Sequence, residues 1–366
     1  MTRILGSRRT TRLFVGDTGG LMNDIVQAAR REKLTSLLAA LHLESALLYI
    51  PRHVLIEVER DLAEYALKPR KPVNPESAMK WWRDSYAPYM RVVDVPDDWG
   101  ADDPRVEAVG NRHDPNAPPE KFSDAPTARL ALALAECFVI CRDDDLTDYS
   151  FGRHEHLELL HAAANEGEKQ YVDMMAGLPL IIGGSLAKVG VDGFRRLSPV
   201  AQICTAIGAG ALAYLWQRNG RARRQIKRVG TEFSGLLQTV GPPLMQIQAR
   251  LAENQAVWER HSVRRDGPAS VSEQAARILA YAPHSGMLAV EIAKELQAPG
   301  SLAARTTAVR ATLEKSGAFT QVSRGRWQLG EPVIENRPTL KPQLMADWVK
   351  RAHEEVALHQ SEKKTR

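Results

Sequence analysis

Short apolar runs that end in acidic residues, each separated from the next by a helical pattern, recur through the first 152 residues of this 366-residue chain. LFVGD at 13–17 reads as a strand ending in Asp17, and ALLYIP at 46–51 reads as a second buried strand. Between them DIVQAARREKLTSLLAAL, residues 24–41, has helical apolar spacing, and HVLIEVERDLAEYALK, residues 53–68, returns to it. A Pro- and Asp-rich stretch from about 69 to 123 holds a helix near 79–89 and a strand, MRVVDV. TARLALALAE is again helical, and CFVICRDDD is again a strand ending in acids. Alternation of this kind predicts a parallel α/β sheet with flanking helices, because parallel neighbours need a crossover and the crossover is usually a helix.

Four acids occupy comparable places in this pattern: Asp17 after the first strand, Glu57 in the helix after the second, Asp124 opening the third helix, and Asp143 after the following strand. The carboxyl ends of parallel strands share one edge of the sheet, where ligands bind, so residues distant in sequence converge there. Clustered carboxylates repel one another unless a hard cation neutralises them, and Mg²⁺ or Mn²⁺ prefers oxygen donors. Such a centre activates water and stabilises the charge of a phosphodiester under in-line attack. Each acid also has a plain structural reading. Asp17 caps a turn containing Gly19 and Gly20, Asp124 with Pro126 is an N-cap arrangement, Glu57 shares one solvated helix face with Glu59, Asp61 and Glu64, and Asp143 to Asp145 form a polar turn. The order of the four together favours the metal site.

These residues resemble the PIN-domain ribonucleases over residues 13–152. FVGDTGGL is similar to that family's opening strand with its first acid, Asp17, and IPRHVLIEV to the motif bearing the second, Glu57. SDAPTARLALAL resembles the helix headed by the third, Asp124, and VICRDDDL the strand end bearing the fourth, Asp143, with Asp145 as an occasional fifth. The resemblance implies metal-dependent hydrolysis leaving a 5′-phosphate, on RNA ahead of DNA, with Mg²⁺ or Mn²⁺ held by Asp17, Glu57, Asp124 and Asp143. It also implies an inhibitory protein partner, a toxin or defence role and assembly as a homo-oligomer. The chain departs from the pattern at Gly16, at Gly19-Gly20 and in a long insertion before Asp124.

The back of the chain has a different character. Residues 1–152 hold 20 Lys+Arg against 24 Asp+Glu, whereas the remainder holds 29 against 20. A basic part suits a polyanion and an acidic part gathers divalent metal. Residues 153–265 include LPLIIGGSLAKVGV at 178–191 and LSPVAQICTAIGAGALAYLW at 197–216, the latter without a charged residue and long enough to span a bilayer. QRNGRARRQIKR follows as a basic flank, but Gln202, the weak hydrophobicity of Ala and Gly, and Arg195 with Arg196 between the stretches oppose insertion. A buried helical bundle and membrane association through 178–216 both stay open.

Ser270 with Glu273 three residues later has capping-box spacing and opens a helix, SVSEQAARILAYAP. GMLAVEIAKELQ and SLAARTTAVRATLEKSG give two more, and FTQV and RWQL two short strands. Three helices closed by a basic-tipped hairpin over 268–331 predict a winged helix-turn-helix, and FTQVSRGRWQL resembles the HARE type. Arg305, Thr306, Thr307 and Arg310 are its candidate groove-facing residues, with Arg324 and Arg326 as wing contacts. Residues 270–331 hold seven Lys+Arg and five Asp+Glu, so nucleic acid and protein contact both remain open. Residues 1–12 and 332–366 read as tails.

Other chemistries fail on spacing. HEHLELLH at 154–161 lacks the i, i+4 histidine pair of a zinc protease, Cys137 and Cys141 are not a CxxC pair, and no GxxxxGK[ST] is present. Three cysteines and a polar start predict a reducing cytoplasm.

Overall fold

A computed structural model describes residues 11–68, 72–112, 122–152, 160, 162–164, 166, 258–259, 262–282 and 285–334. Thr11–Ala164 and Val257–Arg366 form one compact unit, and Met1–Thr10 with Asn165–Ala256 form another, which falls almost wholly outside the described residues. The 178–216 stretch lies outside them too. Among the described residues no helix is long and apolar enough to cross a membrane.

The chain is α/β. Strands β1 (Arg12–Gly16), β2 (Ala46–Pro51), β3 (Met90–Val93) and β4 (Phe138–Ile140) pair in parallel in the order β4-β1-β2-β3. A short strand β8 (Glu331–Pro332) closes the free edge of β3 in the antiparallel sense. Alternation decides which layer each side chain enters. Phe14, Leu48, Ile50, Val92 and Phe138 point into one core, packed with helices α1 (Thr18–Arg31), α2 (Ser36–His42), α3 (Arg52–Tyr65) and α4 (Pro75–Trp81). Leu13, Val15, Tyr49, Val93 and Val139 point into the other, with α5 (Pro104–Asn111) and α6 (Ala125–Leu134).

The same second core takes in the C-terminal module, which runs α8 (Val271–Ala280), β5 (Met287–Leu288), α9 (Ala289–Glu295), α10 (Leu302–Lys315), β6 (Phe319–Ser323) and β7 (Arg326–Leu329) after the short α7 (Asp144–Thr147). Its three strands form a second sheet in the order β5-β7-β6. The pattern along the chain sets residues 268–331 apart from 13–152, but their apolar faces cover one another. Polar contacts line the seam: the buried Tyr49 hydroxyl donates to the Ala280 carbonyl at 2.9 Å. Trp99 Nε1 donates to Ser272 Oγ at 2.8 Å, and Arg277 donates to the carbonyls of Ala133 and Leu132 at the end of α6. Arg91 reaches Gln328 and the carbonyls of Leu329 and Gly330. Gly330 (φ +61°) is needed there, since a Cβ would stand 2.3 Å from the Val92 carbonyl oxygen.

Two local features depart from the sequence pattern. The helix expected over 24–41 is two helices, because Glu32 turns left-handed (φ 51°) and Thr35 caps α2 by accepting from the Leu38 amide. Thr35 also donates to the buried Asp24 at 2.6 Å, as does Tyr86, so the break is held by tertiary contacts. The helix near 79–89 is α4 followed by a π-helical turn (Trp82–Tyr86) and a 3₁₀ turn (Ala87–Tyr89).

Glu273 anchors the seam. It is 1% exposed, completes the capping box of α8 with Ser270, accepts from the Gly100 amide at 2.9 Å and pairs with Arg265, which also holds Asp102 at 2.8 Å. Removing one partner of a buried pair strands the other. Glu273→Ala is therefore expected to cost about 3–5 kcal/mol in urea unfolding, against under about 0.5 kcal/mol for Thr307→Ala on the exposed face of α10. A cost below about 1 kcal/mol for Glu273→Ala would refute the anchoring role.

Candidate metal centre

β1 and β4 are neighbours in the sheet, so their carboxyl ends bring residue 17 and residues 143–145 to one edge. The Asp17 amide donates to the Ile140 carbonyl at 3.0 Å. The approach is close enough that a Cβ on Gly20 would lie 2.5 Å from the same oxygen. Gly20 thus lets the first turn of α1 rest directly on the end of β4, which accounts for a glycine at that place.

Asp17 caps α1 by accepting from the Gly19 amide at 3.2 Å and is 3% exposed. Burial pushes its carboxyl up to about 8, with the charge of Asp124 next in effect; the Gly19 and Thr18 amides pull the other way, and Asp143 adds a smaller push. Asp124, from the head of α6, is half-buried and makes no side-chain cap hydrogen bond to that helix. Carboxylate oxygens of Asp124, Asp143 and Asp145 all lie within 4.8 Å of one another. Asp143 caps α7 by accepting from the Asp145 amide at 2.9 Å, which sets the two acids side by side. Glu57, half-buried on α3, accepts from the Thr18 hydroxyl and so stands beside the residue that follows Asp17.

The structure therefore brings Asp124, Asp143 and Asp145 into mutual reach, puts the buried Asp17 within electrostatic reach of Asp124 and Asp143, and ties Glu57 to the same edge through Thr18. Of the other acids in that stretch of α3, Asp61 pairs with Arg60, and Glu64 pairs with Lys68 at 3.0 Å. Oxygen-only donors of this kind suit Mg²⁺ or Mn²⁺.

Three residues at this edge carry no signal of their own in the sequence. Thr18 orients Glu57 from 39 positions away. Arg112 holds Asp145 at 2.9 Å and Asp148 at 2.8 Å, with its guanidinium over the Tyr149 ring. His53, one helical turn before Glu57 on α3, is buried, contacts Thr127 Oγ1 through Nε2 at 3.5 Å, and is pushed down to about 4 by burial, which keeps it neutral near pH 7. Only the adjacency of Thr18 to Asp17 was available as a clue.

The candidate nucleic-acid contacts divide. Arg305 is half-buried and donates to the Leu296 carbonyl at 3.0 Å, and Arg326 donates to the Gly286 carbonyl at 2.8 Å. Both serve the module's own packing. The hydroxyls of Thr306 and Thr307 bond back to the carbonyls of Leu302 and Ala303. Arg310 and Arg324 are exposed.

Searches of known families, curated proteins and solved structures find no match to this chain.

The raised carboxyl of Asp17 has a signed consequence. Below pH 4 the group is protonated both folded and unfolded; between about 4 and 8 unfolding lets it ionise, so stability falls as pH rises through that window. Asp17→Asn is expected to raise the metal-free melting temperature at pH 8, with the difference from wild type vanishing toward pH 4. Mn²⁺ should stabilise wild type more at pH 8 than at pH 6, and the Asn variant less at either pH. Differential scanning calorimetry with EDTA and with Mn²⁺ checks this, and a variant less stable than wild type at pH 8 in EDTA would contradict it.

Proposed function

We propose that this chain is a metal-dependent nuclease of PIN-like architecture that hydrolyses phosphodiester bonds, RNA ahead of DNA, with a winged helix as its C-terminal module. One observation carries the reading: Asp17, Asp124 and Asp143 lie in the order expected at one edge of a parallel sheet, Glu57 is tied to it through Thr18, and carboxylate oxygens of Asp124, Asp143 and Asp145 lie within 4.8 Å of one another. The three helices followed by the β6–β7 hairpin support the winged-helix assignment.

Asp17, Glu57, Asp124 and Asp143 are the residues that would hold Mg²⁺ or Mn²⁺, with Asp145 assisting. The cation supplies a bound water of lowered pKa and neutralises charge developing on the phosphodiester. Thr18 keeps the Glu57 carboxylate turned to the edge. A bound cation would favour the ionised form of Asp17, offsetting the burial and the nearby Asp124 charge that hold its proton. Arg112 holds Asp145 beside Asp143 and restrains it from turning into solvent. A toxin or defence role under an inhibitory partner rests on the family resemblance.

A second reading, a PIN-like scaffold that binds nucleic acid without cutting it, draws on the same Arg112 pair, since a guanidinium on Asp145 competes with a cation for that oxygen. Purified protein incubated with mixed-sequence single-stranded RNA and DNA, in Mn²⁺, Mg²⁺ or EDTA, separates the two. The nuclease reading expects metal-dependent cutting that drops at least 100-fold in Asp17→Asn and in Asp143→Asn with folding intact. Binding that needs no metal, survives both substitutions and yields no product would establish the scaffold reading instead.

A further inference from the structure

Arg142 stands in the turn between the end of β4 and Asp143, and it is exposed. It does not turn to the acid beside it. Its Nη1 donates instead to Asn23 Oδ1 on α1, at 2.8 Å. Asn23 and Gly19 are four residues apart on α1 and share one face of it, where such positions lie about 5–6 Å apart at Cβ. The amide of Gly19 is the one that Asp17 accepts from. Among the described residues a Cβ on Gly19 would meet only the Asp17 carboxylate, at 3.6 Å, so this face of the first turn is open. The guanidinium is therefore fixed one helical turn from the cap of Asp17, while the Arg142 backbone leads directly into Asp143.

We infer that Arg142, held by Asn23, is a substrate-binding residue that grips a phosphate of the nucleic-acid strand beside the metal centre. This rests on the nuclease reading for the cation and the bond attacked at that centre. Pairing separates Arg142 from the other arginines at this end of the sheet. Arg112 is committed to Asp145 and Asp148, Arg52 to Asp94 and Glu331, and Arg129 to Asp97. Each of those charges is balanced by a carboxylate, which a move toward a phosphate would strand. Arg142 faces a neutral amide oxygen, and among the described residues no acid pairs with it. An arginine that served only to steady the acidic turn would pair with Asp143 or Asp145. A tether to a neutral group leaves the whole charge for a ligand, and one bond to Asn23 leaves the remaining donors of the planar fork for phosphate oxygens. It also orders the side chain in advance, which lowers the entropy cost of the grip. The acids repel a phosphate, so a cation fixed at their rim is what admits the strand to the edge.

The test is binding of a fluorescein-labelled single-stranded RNA 12-mer to full-length Asp17→Asn protein in Mn²⁺, followed by anisotropy over a series of salt concentrations. Arg142→Gln on that background is expected to raise Kd at least fivefold and to flatten the slope of log Kd against log salt by about 0.7, the share of one phosphate contact on a single strand. Arg142→Lys keeps the charge and should restore the slope with part of the affinity. Asn23→Ala frees the guanidinium without removing it, and should raise Kd about threefold at unchanged slope. Lys33→Gln, an equal loss of charge beyond the far end of α1, should stay within about twofold of its parent. Melting temperatures establish that each variant folds. Unchanged binding in Arg142→Gln, an equal loss in Lys33→Gln, or no binding by the parent overturns the inference, and unchanged binding in Asn23→Ala overturns the tether. Cleavage by wild-type protein in Mn²⁺ is scored separately. If it is absent while Arg142→Gln still loses binding, the nuclease reading fails and the phosphate contact stands; if wild type cuts while Arg142→Gln binds as its parent does, the reverse holds.

Discussion

The acidic edge is organised by one close backbone approach. The first turn of α1 rests on the end of β4 with no side chain between them: the Asp17 amide bonds to Ile140, and Gly20 leaves the space that any Cβ would take from that carbonyl. From this contact follows the rest of the edge. Asp17 comes within electrostatic reach of Asp143 and Asp124, and Thr18, next along the same turn, reaches Glu57 on α3. A residue at position 20 with any side chain would push α1 outward and separate the first acid from the fourth.

Two buried aspartates show how environment sorts function from structure. Asp24 is buried and its carboxyl is pushed up to about 6, yet hydroxyls of Thr35 and Tyr86 donate to it and Arg31 lies near. It is a satisfied polar group that ties α1 to α2 and the π-helical turn. Asp17 sits among other acids instead, is pushed further, to about 8, and draws only on backbone amides for relief. An acid kept in surroundings that oppose its charge is a local cost to the fold, and such costs gather at functional sites.

The C-terminal module belongs to the same argument. Its apolar faces and those of α5 and α6 form one core, and the edge of β3 that would stand open is covered by β8. An exposed parallel edge invites pairing with another chain, so this closure has a use apart from any ligand. It also means that the seam around Glu273 sets the position of α10 relative to the acidic edge, as rigidly as a helix within one fold.

Periodicity is a local property, and what depends on it was legible. An apolar run placed β2 at 46–51, the recurrence of strand, helix and acid predicted a parallel sheet, to which the structure adds only the antiparallel β8, and Ser270 with Glu273 announced a capping box that the structure contains. The break between α1 and α2 was not legible, because Thr35 caps α2 while held by Asp24 and Tyr86, 11 and 51 positions away. Nor were Arg112, whose partners lie 33 and 36 residues on, or the inward turn of Arg305 and Arg326, which from composition alone pass for contacts to a polyanion. The sequence by itself determined the elements and the order of the acids, since spacing along one chain encodes which face each residue takes. Tertiary structure alone decided that Asp17, Asp124, Asp143 and Asp145 share an edge, that a hydroxyl ties Glu57 to it and a guanidinium holds Asp145, and that two modules merge into one body. Those outcomes depend on distances between segments far apart in the chain, which packing sets and spacing does not.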